Sequence, residues 1–123
     1  MVKENKSKKL PSSPLKTINI IGEDFKVDEL TSANVVKYRL PNPESIPLEA
    51  FGLCNNHRGV ILLNPDMPKS RLKTTLLHEV LHIILSQLDL EVKNEEHVVT
   101  VVSQALSEVF KTNPQFANII LKG

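Results

Sequence analysis

Apolar residues follow one spacing before about residue 68 and another after it. In the first part, short β-branched or apolar stretches are separated by glycine, asparagine and proline, a pattern typical of strands and turns. The loop at 55–59 is rich in turn-forming residues and joins two such stretches. The predicted strands are Thr17–Ile21 and Phe25–Val27, which form a hairpin around Gly22-Glu23-Asp24, followed by Val35–Leu40, Ala50–Cys54 and Val60–Asn64.

The second part of the chain predicts two amphipathic helices. The first runs from about Lys69 to Leu88. The second begins after Asn94, a favourable N-cap, and ends near Lys111. We expect the short apolar segment Phe116–Leu121 to pack back on the domain. Strands followed by a helical pair predict a small α+β domain, with an antiparallel or mixed sheet.

Charge divides the chain into a tail and a domain. Residues 1–16 contain five lysines and one glutamate, a net charge of +4, whereas the rest contains ten basic and thirteen acidic residues. We therefore predict a disordered basic tail at 1–16 and a folded domain at 17–123. The tail has no aromatic residue to stack on bases, so direct nucleic-acid binding is disfavoured.

The cellular compartment is predicted from three features. Cys54 is the only cysteine, so no intramolecular disulfide can form, which is typical of a reducing cytosol. No apolar stretch is long enough to cross a bilayer. The basic N-terminal residues are not followed by the apolar core of a secretory signal. These features predict a cytoplasmic protein without a membrane partner.

The segment from His78 to His82 reads HEVLH and lies within the first predicted helix. Side chains four residues apart share one helix face, with Cβ atoms about 5–6 Å apart. His78 and His82 can therefore offer two imidazoles to one metal ion. Glu79 projects about 100° around the helix from His78, which disfavours it as a third ligand from that turn. It is instead placed to act as a general base on water at the metal.

A catalytic zinc site needs a third protein ligand, which we expect from the start of the second helix. The mean direction of the apolar residues of that helix falls near Val102, and Glu95 lies seven residues before it, near the centre of the same stripe. A carboxylate on a buried stripe requires a partner, and a metal ion would supply one. We therefore predict Glu95 as the third ligand. Glu96 is the second choice, because phase at a helix start is uncertain by a residue or two.

Other chemically active side chains have simpler interpretations. His97 is expected to face solvent rather than bind the metal. His57, in a loop, and Tyr38, the only tyrosine, are each treated as structural, with stabilisation of an oxyanion as the alternative role. Cys54 is expected to be a small core residue.

The order of a strand at 59–64, the HEVLH helix and an acidic helix start resembles the ImmA/IrrE-like metallopeptidases, especially short phage-encoded ones. The resemblance covers about residues 50–112, and the HExxH motif is its specific part. It implies a minimal zincin fold, zinc bound by His78, His82 and Glu95, and Glu79 as base. It also implies a cleft bordered by the strand Val60–Asn64, to which an extended peptide substrate would add.

The predicted function is therefore a zinc-dependent endopeptidase acting on a protein or peptide, such as a phage or mobile-element regulator, in the host cytoplasm if the chain is phage-encoded. Two departures from the family pattern are the spacing of 12 residues between His82 and Glu95 and the residues that follow Glu95. One alternative is a non-catalytic metal-holding regulatory protein. Another is a SprT-like protease acting on DNA-bound proteins, which the basic tail suggests. The sequence leaves the oligomeric state open.

Overall fold

A computed structural model describes residues 15–122 of the chain, so residues 1–14 of the predicted tail lie outside the described part. Two pairs of strands are separated by a short helix, and three helices follow residue 63. The strands are β1 (Thr17–Ile20), β2 (Glu23–Glu29), β3 (Gly52–Asn55) and β4 (Val60–Leu63). The helices are α1 (Ser32–Lys37), α2 (Lys69–Gln87), α3 (Glu95–Thr112) and α4 (Pro114–Lys122), with a short 3-10 turn at Pro43–Ser45.

The four strands form one mixed sheet in the order β1-β2-β4-β3. The β1–β2 and β3–β4 pairs are antiparallel, and β2 runs parallel to β4. The predicted small α+β domain with a mixed sheet is confirmed. The expectation that the strand at 60–64 borders a cleft is wrong, because β4 is an inner strand and β3 forms that edge of the sheet.

Both faces of the sheet are covered, which explains why all four residues of β4 are buried. On one face, Ile61 and Leu63 join Phe25 in a core packed against the apolar side of α2. On the other, Val60 and Leu62 pack with residues of α1 and the following loop. The sheet therefore supports α2 along one face.

Two predictions in the first half needed correction. The β1–β2 hairpin is present, but its turn is Ile21-Gly22, both with positive φ, so Glu23 and Asp24 belong to β2. The predicted strand Val35–Leu40 is instead the second half of α1 and the residues after it. Thr31 begins that helix by accepting a hydrogen bond from the Asn34 backbone N–H at 3.1 Å.

The two long helices lie where the sequence predicts them. Asn94 is the N-cap of α3, but its left-handed backbone (φ 58°) leaves it without a side-chain capping bond. Phe116 stacks on Phe110 of α3, but the rest of the segment at 116–121 does not pack back on the domain; Leu121 is 82% exposed. Among residues 15–122, no helix is both long and apolar enough to span a bilayer.

Candidate metal centre

Two neighbouring sides of helix α2 carry the candidate site residues. Glu79 and Ile83 are buried, one turn apart. His78 and His82 are one turn apart on the neighbouring side, with side chains only 18% and 20% exposed. Because α3 packs against that side, the two imidazoles lie between the helices rather than in open solvent.

Glu96, in the first turn of α3, reaches both imidazoles. Its Oε1 lies 2.8 Å from His82 Nε2, and its Oε2 lies 3.2 Å from His78 Nε2. The two Nε2 atoms are themselves 3.2 Å apart. Each of these three side chains offers an atom that could bind a metal ion. Among residues 15–122, they are the group whose ligand atoms all lie within 4.8 Å of one another.

Glu95 contacts the opposite nitrogen of one imidazole. Its Oε2 lies 2.6 Å from His82 Nδ1, and its side chain is 38% exposed, against 74% for Glu96. Partial burial lowers the pKa of His82, but the hydrogen bonds to Glu95 and Glu96 outweigh burial and the net shift is upward. A carboxylate on Nδ1 fixes the ring orientation and tautomer, as outer-shell carboxylates do in metal sites.

The predicted phase of α3 was wrong. Val102 is 39% exposed, whereas the residues buried on this helix are Val99 and Ser103. Ser103 follows Glu95 by eight residues and Glu96 by seven, so both glutamates lie on the side that faces α2. The sequence-based preference for Glu95 therefore rested on a side of α3 that the fold leaves exposed, and the actual packing brings both acids to α2. The distances favour Glu96, the second choice, as the residue beside both Nε2 atoms.

The three side chains could hold a metal ion. Two imidazoles and one carboxylate form a ligand set that holds catalytic zinc and leaves one position open. With ligand distances of about 2.0–2.1 Å, tetrahedral donors are separated by about 3.3 Å. The two Nε2 atoms are 3.2 Å apart, close to that value, and with one carboxylate oxygen of Glu96 the three donors lie within 4.8 Å of one another. A divalent metal other than zinc would accept the same atoms.

Glu79 lies next to this group, between α2 and the edge strand. It is 6% exposed, and burial raises the pKa of its carboxyl, although the Cys54 thiol and the two imidazoles act in the opposite direction. The pKa of Cys54 is also raised, first by burial and then by Glu79. Sequence analysis assigned Cys54 to the core alone. Gly52 and Cys54 are two residues apart on β3 and so share the side that borders the cleft, but the sequence held no signal of what that side would face.

An open cleft of about 450 Å³ gives access to these residues. β3 forms one wall through Gly52, Leu53 and Cys54, and α2 forms the other. One end is held by a hydrogen bond of 2.8 Å from the Asn56 side-chain amide to the Ser86 hydroxyl. The cleft therefore combines an open sheet edge with the candidate ligands and a buried carboxylate.

Three residues considered from the sequence lie elsewhere. His97 is exposed and is not in the converging group, as expected. His57 is exposed in the β3–β4 turn and does not line the cleft. Tyr38 donates to Asp28 at 2.7 Å, and burial together with Asp28 raises its pKa to about 12. It supports α1 against β2, as the structural interpretation expected.

Gly52 allows β3 to lie close to α2, so Gly52→Ala is expected to destabilise the domain. A Cβ at this position would lie 3.0 Å from Thr75 Cγ2 and 3.2 Å from the carbonyl oxygen of Leu62, which is fixed in the paired strand. We expect the free energy of unfolding to fall by about 1–3 kcal/mol, measured by urea denaturation. An unchanged value would show that β3 is not packed against α2 in this way.

Comparisons with known proteins place the chain in no family. A scan against protein-family models found no match, and searches of curated proteins and of solved structures gave none that was significant.

Proposed function

We propose that the protein is a zinc-dependent endopeptidase similar to the ImmA/IrrE metallopeptidases. The observation that supports this most is the convergence of His78, His82 and Glu96 beside the buried Glu79, in a cleft open to a sheet edge. A purely structural histidine pair would not require one carboxylate shared by both Nε2 atoms together with a separate, buried carboxylate in the same open cleft.

In this proposal, His78, His82 and Glu96 hold the metal through Nε2, Nε2 and the carboxylate. Glu95 accepts a hydrogen bond from His82 Nδ1 and so keeps Nε2 directed at the metal position. Zinc in such a site acidifies water and polarises a carbonyl group. Glu95 therefore has a positioning role in place of the ligand role expected from the sequence.

Glu79 supplies the proton transfer. Its raised pKa makes the carboxylate a stronger base than an exposed glutamate, which suits catalysis near neutral pH. It accepts a proton as water attacks the peptide carbonyl and then donates it to the leaving amine. A hydrogen bond with the Cys54 thiol of β3 limits the movement of the carboxylate.

The substrate in this proposal is an extended peptide that adds to β3. One side of β3 pairs with β4 and the other side borders the cleft, so its outward backbone groups are available to a further strand. Backbone pairing would align the peptide parallel to β3, so that it passes Gly52 and Cys54 and lies beside the metal centre. This replaces the sequence-based expectation that the strand at 60–64 receives the peptide.

Metal dependence provides the test of the proposed function. Purified protein is expected to bind about one zinc per chain and to cleave some members of a mixed peptide library, read by mass spectrometry. Dialysis against a chelator should remove both zinc and cleavage, and added zinc should restore both. Stoichiometric zinc without any cleavage would contradict the peptidase assignment.

A second candidate is a metal-holding protein that regulates a partner without cleaving it. The observation in its favour is that Tyr38 and His57, the two side chains considered as oxyanion donors, both lie outside the cleft. In that case the biological effect of the chain would persist after Glu79→Gln, since metal and surface shape are retained. Loss of the effect in that variant would exclude this candidate.

A further inference from the structure

A second recess opens from the same cleft, between α2 and α3, towards the start of α2. Its volume is about 300 Å³, and it shares His78, Glu79 and Glu96 with the metal centre. The rest of its wall is mostly polar. These polar residues are Arg71, Thr74, Thr75, Thr100, Ser103 and Gln104.

Arg71 is the cation of this recess. Its guanidinium lies over the ring of Phe51, 5.5 Å from the centroid, a contact that restrains the group while leaving N–H donors at its edge. The ion pairs found among residues 15–122 all join histidines of α2 to Glu95 or Glu96. Within that part of the chain Arg71 thus has no carboxylate partner.

The hydroxyls around Arg71 are largely used within the protein. Thr74 hydrogen-bonds to Ser107 at 3.3 Å, and Ser103 donates to the Thr100 carbonyl at 3.1 Å. Among residues 15–122, the acids that line the recess are Glu96, which belongs to the metal-ligating group, and Glu79, which is buried against Cys54. The unpaired charge in the recess is therefore positive, and a ligand carboxylate would complement it.

The position of Arg71 relates the recess to a bound peptide. Arg71 precedes His78 by seven residues, two turns on the same side of α2, or about 10 Å along the axis. A strand advances about 3.3 Å per residue, so a peptide on β3 covers that distance in about three residues. Phe51, whose ring lies under the Arg71 guanidinium, directly precedes β3.

We infer that this recess is a subsite for a carboxylate of the substrate, bound by Arg71 about two or three residues from the cleaved bond. The inference rests on the proposed function, because it takes the metal centre as the point of cleavage. The carboxylate can come from a glutamate or aspartate side chain or from the free C-terminus of the peptide.

Binding of zinc-directed probes tests the subsite without relying on turnover. Short peptides carrying a hydroxamate at either end would be compared by calorimetry on the zinc-loaded protein, with Glu or Gln at the second or third residue. We expect the Glu probe of one series to bind about tenfold more tightly than its Gln isostere. A parallel pair, with a free or an amidated C-terminus, distinguishes the two sources of the carboxylate.

Two variants separate a local contact from general charge. Arg71→Gln should bind the Glu and Gln probes equally and keep the wild-type affinity for the Gln probe, which shows that the fold is intact. Lys73→Gln removes the same charge from an exposed position outside the recess and should keep the tenfold preference. A preference that survives Arg71→Gln, or disappears in Lys73→Gln, would contradict the assignment to Arg71.

The remaining outcomes distinguish this inference from the proposed function. Equal affinities for the acidic and neutral probes of every pair would overturn the subsite while leaving the peptidase proposal intact. A preference for a carboxylate without cleavage of the corresponding acidic peptides would support the subsite and count against the peptidase activity. Protein that binds no zinc and no probe would overturn both.

Discussion

Glu79→Gln is expected to bind zinc as tightly as the wild-type protein and to cleave peptides about 10²–10⁴-fold more slowly. Glutamine preserves the size of the side chain but cannot accept the proton that general-base catalysis transfers, and such transfers contribute rate factors of this size. Because Glu79 is not one of the converging donors, the metal should stay bound. Zinc content and the cleavage rate of one library peptide, measured on the same sample, give both values.

Stability provides an internal control for this variant. Burial raises the pKa of Glu79 in the folded state, so its contribution to stability is full below the unfolded-state pKa and is lost as pH rises through the folded-state value. Glutamine does not ionise, so it does not lose stability as pH rises. Without metal, the variant should therefore be at least as stable as the wild type at neutral pH. Glu108→Gln, on the exposed surface of α3, should change neither stability nor cleavage. Undiminished cleavage by Glu79→Gln would show that this residue is not the base.

The second large effect is expected at the start of α3. Glu96→Ala should lower zinc affinity by more than about 100-fold, whereas Glu95→Ala should lower it by about 10–100-fold, the range for an outer-shell partner. The physical difference is which imidazole nitrogen each acid meets: Glu96 lies at both Nε2 atoms and Glu95 at His82 Nδ1.

The two substitutions control for each other, because both remove an acid from the first turn of the same helix and change its dipole interaction similarly. Competition with a chromogenic chelator measures both affinities under one condition. A larger loss for Glu95→Ala than for Glu96→Ala would support the ligand chosen from helical phase and contradict the one suggested by the distances.

Regular hydrophobic patterns predicted much of this fold from the sequence. The apolar run of β4 and the long α2 are clear in sequence because their burial is repeated along each element. The spacing of His78 and His82 depends only on local helix geometry, so their shared side of α2 was also predictable. In contrast, α1 contains β-branched residues that suggest a strand, yet it forms a helix whose N-cap is Thr31.

The third ligand could not be deduced in the same way, because tertiary packing determines which side of α3 is buried. The sequence argument assumed that α3 buries its most apolar side. Instead, α3 faces α2 with small polar residues such as Ser103 and Ser107, and Val101 and Val102 stay exposed. This packing of α3 against α2 directs both glutamates towards the imidazoles.

The edge of the sheet was equally inaccessible to sequence reasoning. β3 and β4 are both short apolar strands in one hairpin, and either could have been the outer one. The parallel pairing of β4 with β2 places β4 inside and leaves β3 beside α2. Gly52 and Cys54 became cleft residues only through this non-local pairing.

Anomalous diffraction at the zinc absorption edge, from crystals grown with zinc, tests the central claim most directly. We expect one strong peak per chain, bound by the Nε2 atoms of His78 and His82 and by the Glu96 carboxylate, with Glu79 alongside. A peak bound by Glu95 instead, or no peak between α2 and α3, would contradict it.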